Sequence, residues 1–152
     1  MPNTYTQICI HITFGTKRRE KTILQPYREE LYKYITGIIS NRGHKLLAIG
    51  GTSDHIHIFI GMKPHTALSD LVRDIKHFST KFINEKKFIP GQFQWQEGFG
   101  AFSYSDSQLP SVINYIKKQE EHHKVESYNE EYEALLNQFK VDFNPEYTHE
   151  KE

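Results

Sequence analysis

Gly50-Gly51-Thr52-Ser53-Asp54-His55-Ile56-His57-Ile58-Phe59-Ile60, residues 50–60, is the stretch that decides the fold. The first five residues are turn chemistry. The six that follow set Ile56, Ile58 and Ile60 on one side and His55, His57 and Phe59 on the other, which is the two-residue period of a strand. Residues 44–50 supply a strand before the turn, so a hairpin is predicted. A face made only of isoleucine must be buried against helices, and the histidines then point to the opposite face of the sheet.

Working outward, residues 7–14 alternate in the same way, with Ile8, Ile10, Ile12 and Phe14 opposite Gln7, Cys9, His11 and Thr13, as in a half-buried strand. Pro26 opens a helix over residues 26–41, striped by Leu31, Tyr34, Ile35 and Ile38 and ended by Gly43. A second helix follows Pro64 with the stripe Leu68, Leu71, Val72, Ile75, Phe78 and Phe82. Residues 99–104 read as a fourth strand, residues 110–123 as a third helix and residues 128–139 as an acidic fourth helix. The order strand, helix, strand, strand, helix, strand predicts an α+β, ferredoxin-like (split βαβ) antiparallel sheet with helices on one face. Added to it are a tyrosine-bearing helix and an acidic C-terminal helix. In that fold the first and third strands are central neighbours, which brings His11 to the face of His55 and His57. With no internal repeat, low-complexity tract or linker, residues 1–152 are expected to form a single domain, residues 109–152 being its C-terminal helices.

A chain of 152 residues, 37% apolar and 25% charged, is long enough to bury a core, and its ten Phe and nine Tyr exclude wholesale disorder. The lone Cys9 excludes an internal disulfide and a multi-cysteine metal site. There is no apolar run of membrane-spanning length, and residues 1–16 lack signal-peptide features, so a cytoplasmic location is expected. The net charge of zero hides a segregation: 16 Lys/Arg against 9 Asp/Glu in residues 1–118, and 3 against 10 in residues 119–152. A basic body suits nucleic acid, although an acidic helix at the end of the chain reads equally as a solvated surface.

Two histidines at i and i+2 on one strand face can converge on a metal, but two ligands do not complete a site, and such a pair alone more often packs against aromatics. On the third helix Tyr115 and Gln119 are four apart and share a face beside the core stripe Leu109, Val112, Ile113 and Ile116. Tyr115 is not needed for the core; its bland alternative is packing on Lys118. His122 and His123 read as ligands, phosphate contacts or, most simply, cations at a helix C-terminus. Lys17, Arg18, Arg19 and Lys21, with Arg73, Lys76 and Lys81, are candidate phosphate contacts, or else solvated charges. Phe93, Trp95, Phe99 and Phe102 could stack bases, though aromatics at this density are more often core.

Taken together, residues 50–57 and Asn114-Tyr115-Ile116-Lys117-Lys118-Gln119 resemble the single-tyrosine HUH transposases of bacterial insertion sequences, the insertion-sequence 200/605 type. Residues 11–18, 71–76 and 95–99 extend the resemblance over most of the chain. It implies a nuclease that cuts and rejoins single-stranded DNA at element ends, near hairpins, through a 5′-phosphotyrosine. His55 and His57 match the metal pair, Gln119 the third ligand and Tyr115 the nucleophile, with Mg²⁺ or Mn²⁺ as cofactor. The resemblance also implies a homodimer in which Tyr115 acts in trans. Two other functions fit the residues: a non-catalytic ferredoxin-like nucleic-acid-binding module, and a metal-dependent phosphodiesterase that uses water. Neither needs a tyrosine beside the histidine pair.

Overall fold

Alternation along the strands buries both faces of one antiparallel sheet. The computed structural model describes residues 4–145, and the ends of the expected domain, residues 1–152, lie outside the described residues. β1 (Cys9–Gly15), β2 (Lys45–Gly51), β3 (His55–Gly61) and β4 (Gly100–Tyr104) are ordered β2-β3-β1-β4. β1 therefore pairs with both β3 and β4, Ile12 facing Ile58 and Phe14 facing Ile56 across the central ladder. This is the predicted ferredoxin-like sheet.

The isoleucine face is covered by α1 (Gln25–Asn41) and α2 (Leu68–Lys86). Ile12, Phe14, Ile56, Ile58 and Ile60 meet Leu31, Ile35 and Ile39 of α1 and Leu71, Ile75 and Ile83 of α2, all essentially inaccessible to water. Each such side chain contributes about 1.5–3 kcal/mol relative to exposure, which makes this the main core. Pro26 lies in the first turn of α1, where its missing N–H costs nothing, and Gly43 follows the helix at φ +83°.

The opposite face is covered too. α3 (Leu109–Lys117), α4 (Gln119–His122) and α5 (Tyr128–Gln138) lie across it. Val112 and Ile116 pack on Cys9, Ala48 and Phe59, while Tyr128, Tyr132, Leu135 and Leu136 pack around Phe102. The expectation of a half-buried first strand is corrected accordingly: His11 and Thr13 are as inaccessible as Ile12 and Phe14. The single helix expected over residues 110–123 is also corrected, because Lys118 (φ −101°, ψ 22°) leaves the helical conformation and separates α3 from α4. Two glycines make the close packing possible. A Cβ on Gly50 would collide with the Ile116 carbonyl, and one on Gly100 would lie 2.7 Å from the Tyr132 ring.

Candidate active site

β3 presents His55 and His57 to the face that α3, α4 and α5 cover, and both are fully buried. Asp54 precedes the strand and accepts from His55 Nδ1 at 2.8 Å, with Thr52 Oγ1 3.0 Å from the same nitrogen. His55 Nε2 faces Gln119 Oε1 at 2.7 Å. His57 Nδ1 meets His11 Nε2 of the neighbouring strand at 2.7 Å, and His57 Nε2 meets Glu131 Oε1 at 2.9 Å. Tyr115 donates its hydroxyl to Glu131 Oε2, and Gln119 Nε2 donates to that same oxygen at 3.0 Å. The Tyr115 ring lies edge-on, 5.9 Å from the His57 ring.

His55, His57, Tyr115, Gln119 and His11, singled out from the sequence and carried by β3, α3, α4 and β1, are thus brought together. Glu131 at their centre was not anticipated. It sits within the apolar stripe Tyr128, Tyr132, Leu135 and Leu136 of α5, and a carboxylate in a buried stripe is the signal that marks it. His123 caps the C-terminal end of α4, where a cation was expected, and it is also a near-buried side chain whose Nε2 is 2.8 Å from Glu131 Oε1.

Charge within the site follows from burial and these contacts. Burial alone would raise the Glu131 carboxyl, but the charge and hydrogen bonds of His57 and His123, with His55 beyond, hold it far below the usual carboxylate range. Burial pushes the Tyr115 phenol up, and the Glu131 charge and hydrogen bond push it further. Burial lowers His55 to about 4, against the pull of Asp54, so its imidazole is neutral. Burial likewise lowers His11. For His123, burial acts downward and is outweighed by the Glu131 hydrogen bond and charge.

The expected phosphate contacts divide. Lys17, Arg18 and Lys21 are exposed, and Arg18 and Lys21 border a cleft of about 820 Å³ whose far wall includes Arg28, Asp54, His123 and Tyr128. Arg19 is corrected. Its side chain is 4% exposed, donates to Asn129 Oδ1 and Gln96 Oε1, and lies 4.7 Å from the Tyr128 ring centroid, which clamps α5 to the end of β1. Arg73, Lys76 and Lys81 are on α2, across the sheet from the histidines. Arg73 pairs with Asp70 and Asp74, and Lys81 with Glu85. Lys76 donates to the Gln96 and Gly98 carbonyls, and burial lowers it to about 8. Phe93, Trp95 and Phe102 are buried core residues, with Phe99 packed at the edge of the main core. Arg19→Ala is expected to cost about 1–3 kcal/mol in a denaturant melt while barely changing DNA affinity. An unchanged melting midpoint with weakened DNA binding would return Arg19 to the phosphate contacts.

Access to Tyr115 comes from another side, through a cleft of about 460 Å³ lined by Tyr104, Gln108, Tyr115, His122, Glu126 and Glu131 among others. A phenol and a histidine pair meet beneath an open cleft on a ferredoxin-like sheet, the arrangement that the resemblance to the HUH transposases implies. Residues 4–119 match the family described as Transposase IS200 like, and the chain belongs to that family of DNA-cleaving transposases. The ISDra2 transposase TnpA of Deinococcus radiodurans is 20% identical over 118 residues, covering 74% of this chain and 84% of the relative. Among solved structures, a Deinococcus radiodurans R1 protein described as a transposase superposes with a TM-score of 0.62 at 20% identity, over 78% of this chain and 96% of that one. A REP-associated tyrosine transposase bound to a REP hairpin gives 0.61 at 17% identity, over 81% of this chain and 73% of that one. These likenesses show the fold. The family match ends at Gln119, so His123 and Glu131 lie beyond it. No described helix is long and apolar enough to cross a membrane.

Proposed function

We propose that this transposase cuts and rejoins single-stranded DNA at the ends of an insertion sequence through a 5′-phosphotyrosine on Tyr115. One observation carries the reading: the Tyr115 hydroxyl and the His57 imidazole meet on the two oxygens of a single carboxylate, Glu131. The nucleophile therefore stands beside the histidine pair. A phenol is a weak nucleophile near neutral pH, its ordinary pKa being about 10, so it must lose its proton as it attacks. Glu131 accepts the hydroxyl hydrogen bond and orients the phenol, whose proton passes to solvent through the open cleft as the oxygen attacks. The Tyr115 oxygen bonds to phosphorus, the bond to the 3′ oxygen breaks, and the departing oxygen takes a proton from solvent. Reversal by a later 3′-OH rejoins the strand with no nucleotide cofactor.

The donors fit a divalent cation. Asp54 takes the Nδ1–H of His55 and turns an unprotonated Nε2 inward, the orientation that a carboxylate behind a ligand histidine provides. His57 is held by His11, whose Nε2 lies 2.7 Å from His57 Nδ1 and whose buried Nδ1 has no hydrogen-bond partner among the described residues. With His55, His57 and Gln119 as ligands, Mg²⁺ or Mn²⁺ would make the phosphorus more electrophilic and stabilise the departing 3′ oxygen.

The whole chain, residues 1–152, acts in this proposal as one domain and as a homodimer. Within one chain Tyr115 already lies against its own His57. Exchange about residues 103–108, a strand end followed by the short turn Asp106–Gln108, would seat it in the partner's site through identical contacts. The test is incubation with single-stranded DNA carrying the element's own ends, followed by a denaturing gel for protein-linked DNA. Free ends without an adduct would instead indicate a water-using phosphodiesterase, and binding without cutting a non-catalytic module. Lys17, Arg18 and Lys21 are the proposed phosphate contacts, so affinity is expected to fall about 10-fold or more between 50 and 200 mM salt. Hairpin-bearing single strands should be cut and a perfect duplex spared; equal cutting of the duplex would reject the single-strand reading.

A further inference from the structure

We infer that the metal centre of this chain is completed from its C-terminal segment, by His123 and Glu131. The inference rests on the proposed metal role of His55 and His57 and extends it beyond the family-matched residues.

Three imidazoles, two from β3 and one from the end of α4, aim one nitrogen each at a single carboxylate oxygen. Glu131 Oε1 is 2.9 Å from His57 Nε2, 2.8 Å from His123 Nε2 and 3.6 Å from His55 Nε2. One donor atom from each of the four residues lies within 4.8 Å of all the others. The Glu131 side chain is 2% exposed and those of His55 and His57 are fully buried. A carboxylate in the buried stripe of α5 is costly, whereas leucine there would extend the packing of Leu135 and Leu136.

The hydrogen-bond count points the same way. His55 faces oxygens on both sides, Asp54 Oδ1 2.8 Å from Nδ1, and Gln119 Oε1 at 2.7 Å and Glu131 Oε1 at 3.6 Å from Nε2, whereas a neutral imidazole carries one proton and can serve only one side. Turning the Gln119 amide only moves the conflict, since its oxygen would then face Glu131 Oε2, now 3.0 Å from the amide nitrogen. A cation among these atoms satisfies the imidazole and both oxygens at once. Three imidazoles and one carboxylate suit a borderline first-row cation, Mn²⁺, Co²⁺ or Zn²⁺, better than Mg²⁺, which prefers oxygen ligands and retains its waters. Glu131 then links the cation to the Tyr115 hydroxyl, which makes the acidic tail part of the active centre.

Metal-free, full-length protein titrated with Co²⁺ tests this through the visible absorption of the bound ion and through calorimetry, with no DNA present. Wild type is expected to bind Co²⁺ at least about 10-fold more tightly than Mg²⁺. Glu131→Gln and His123→Ala should each weaken Co²⁺ binding by about 10–100-fold and change the absorption spectrum, with His123→Asn as a second variant. Circular dichroism and the metal-free melting temperature establish that each variant is folded. If both positions tolerate substitution while His57→Ala loses Co²⁺, the C-terminal ligands are overturned and the histidine pair stands. If His57→Ala also binds as wild type does, the metal role of the pair itself falls.

Discussion

Tyr115→Phe is expected to eliminate the covalent protein–DNA adduct and to lower strand cleavage by a factor on the order of 10⁴ or more, while DNA affinity changes by less than about 3-fold. The asymmetry follows from what the substitution removes. The ring keeps its edge-on contact with His57, 5.9 Å between centroids, and its place beside His11 and His122. Glu131 loses one donor but keeps His57, His123 and Gln119, so the buried carboxylate remains satisfied. What disappears is the oxygen proposed to bond to phosphorus. Parallel measurements on one preparation, a denaturing gel for the adduct and fluorescence anisotropy for affinity, separate the chemical step from binding. An adduct persisting in Tyr115→Phe would remove Tyr115 from the mechanism. Loss of affinity in step with cleavage would make it a binding residue.

The parts of this site that the sequence revealed are those in which a short-range pattern maps directly onto direction. His55 and His57 share a face because strands repeat every two residues, and Tyr115 and Gln119 do so because helices repeat every three to four. The order of elements then made β1 and β3 neighbours and brought in His11. Glu131 escaped because its neighbours Glu130 and Glu133 make α5 resemble a solvated acidic helix; only the register of Tyr128, Tyr132, Leu135 and Leu136 turns Glu131 inward. Whether the second sheet face is covered depends on helices added outside the split βαβ pattern, so the burial of His11 and Thr13 was not legible in the alternation of β1. The break at Lys118 carries no proline or glycine to announce it. Arg19 looked like its neighbours Lys17, Arg18 and Lys21, yet a backbone at φ 54° turns its guanidinium inward to Gln96 and Asn129.

Subunit mixing yields the second large effect, recovery of cleavage from two dead proteins. Tyr115→Phe lacks the proposed nucleophile and His57→Ala a proposed ligand, so each alone is expected to be inactive. In the proposed exchanged dimer, a heterodimer joins the intact β3 of the first variant to the intact Tyr115 of the second. Random pairing in an equal mixture restores up to about a quarter of the wild-type sites. The contacts among α3, α4 and α5 predict the outcome of a second mixture. Tyr115 and Gln119 both bond to Glu131, and Tyr128 and Glu131 hold His55 and His57 from above, so residues 109–138 travel as one unit if they travel at all. Tyr115→Phe mixed with Glu131→Gln then leaves a defect in every exchanged unit, and no site recovers. Recovery in that second mixture would show α3 exchanging by itself while α5 stays on its own sheet. If verified subunit exchange restores nothing in the first mixture, Tyr115 serves the histidine pair of its own chain, the arrangement in which one chain already places it.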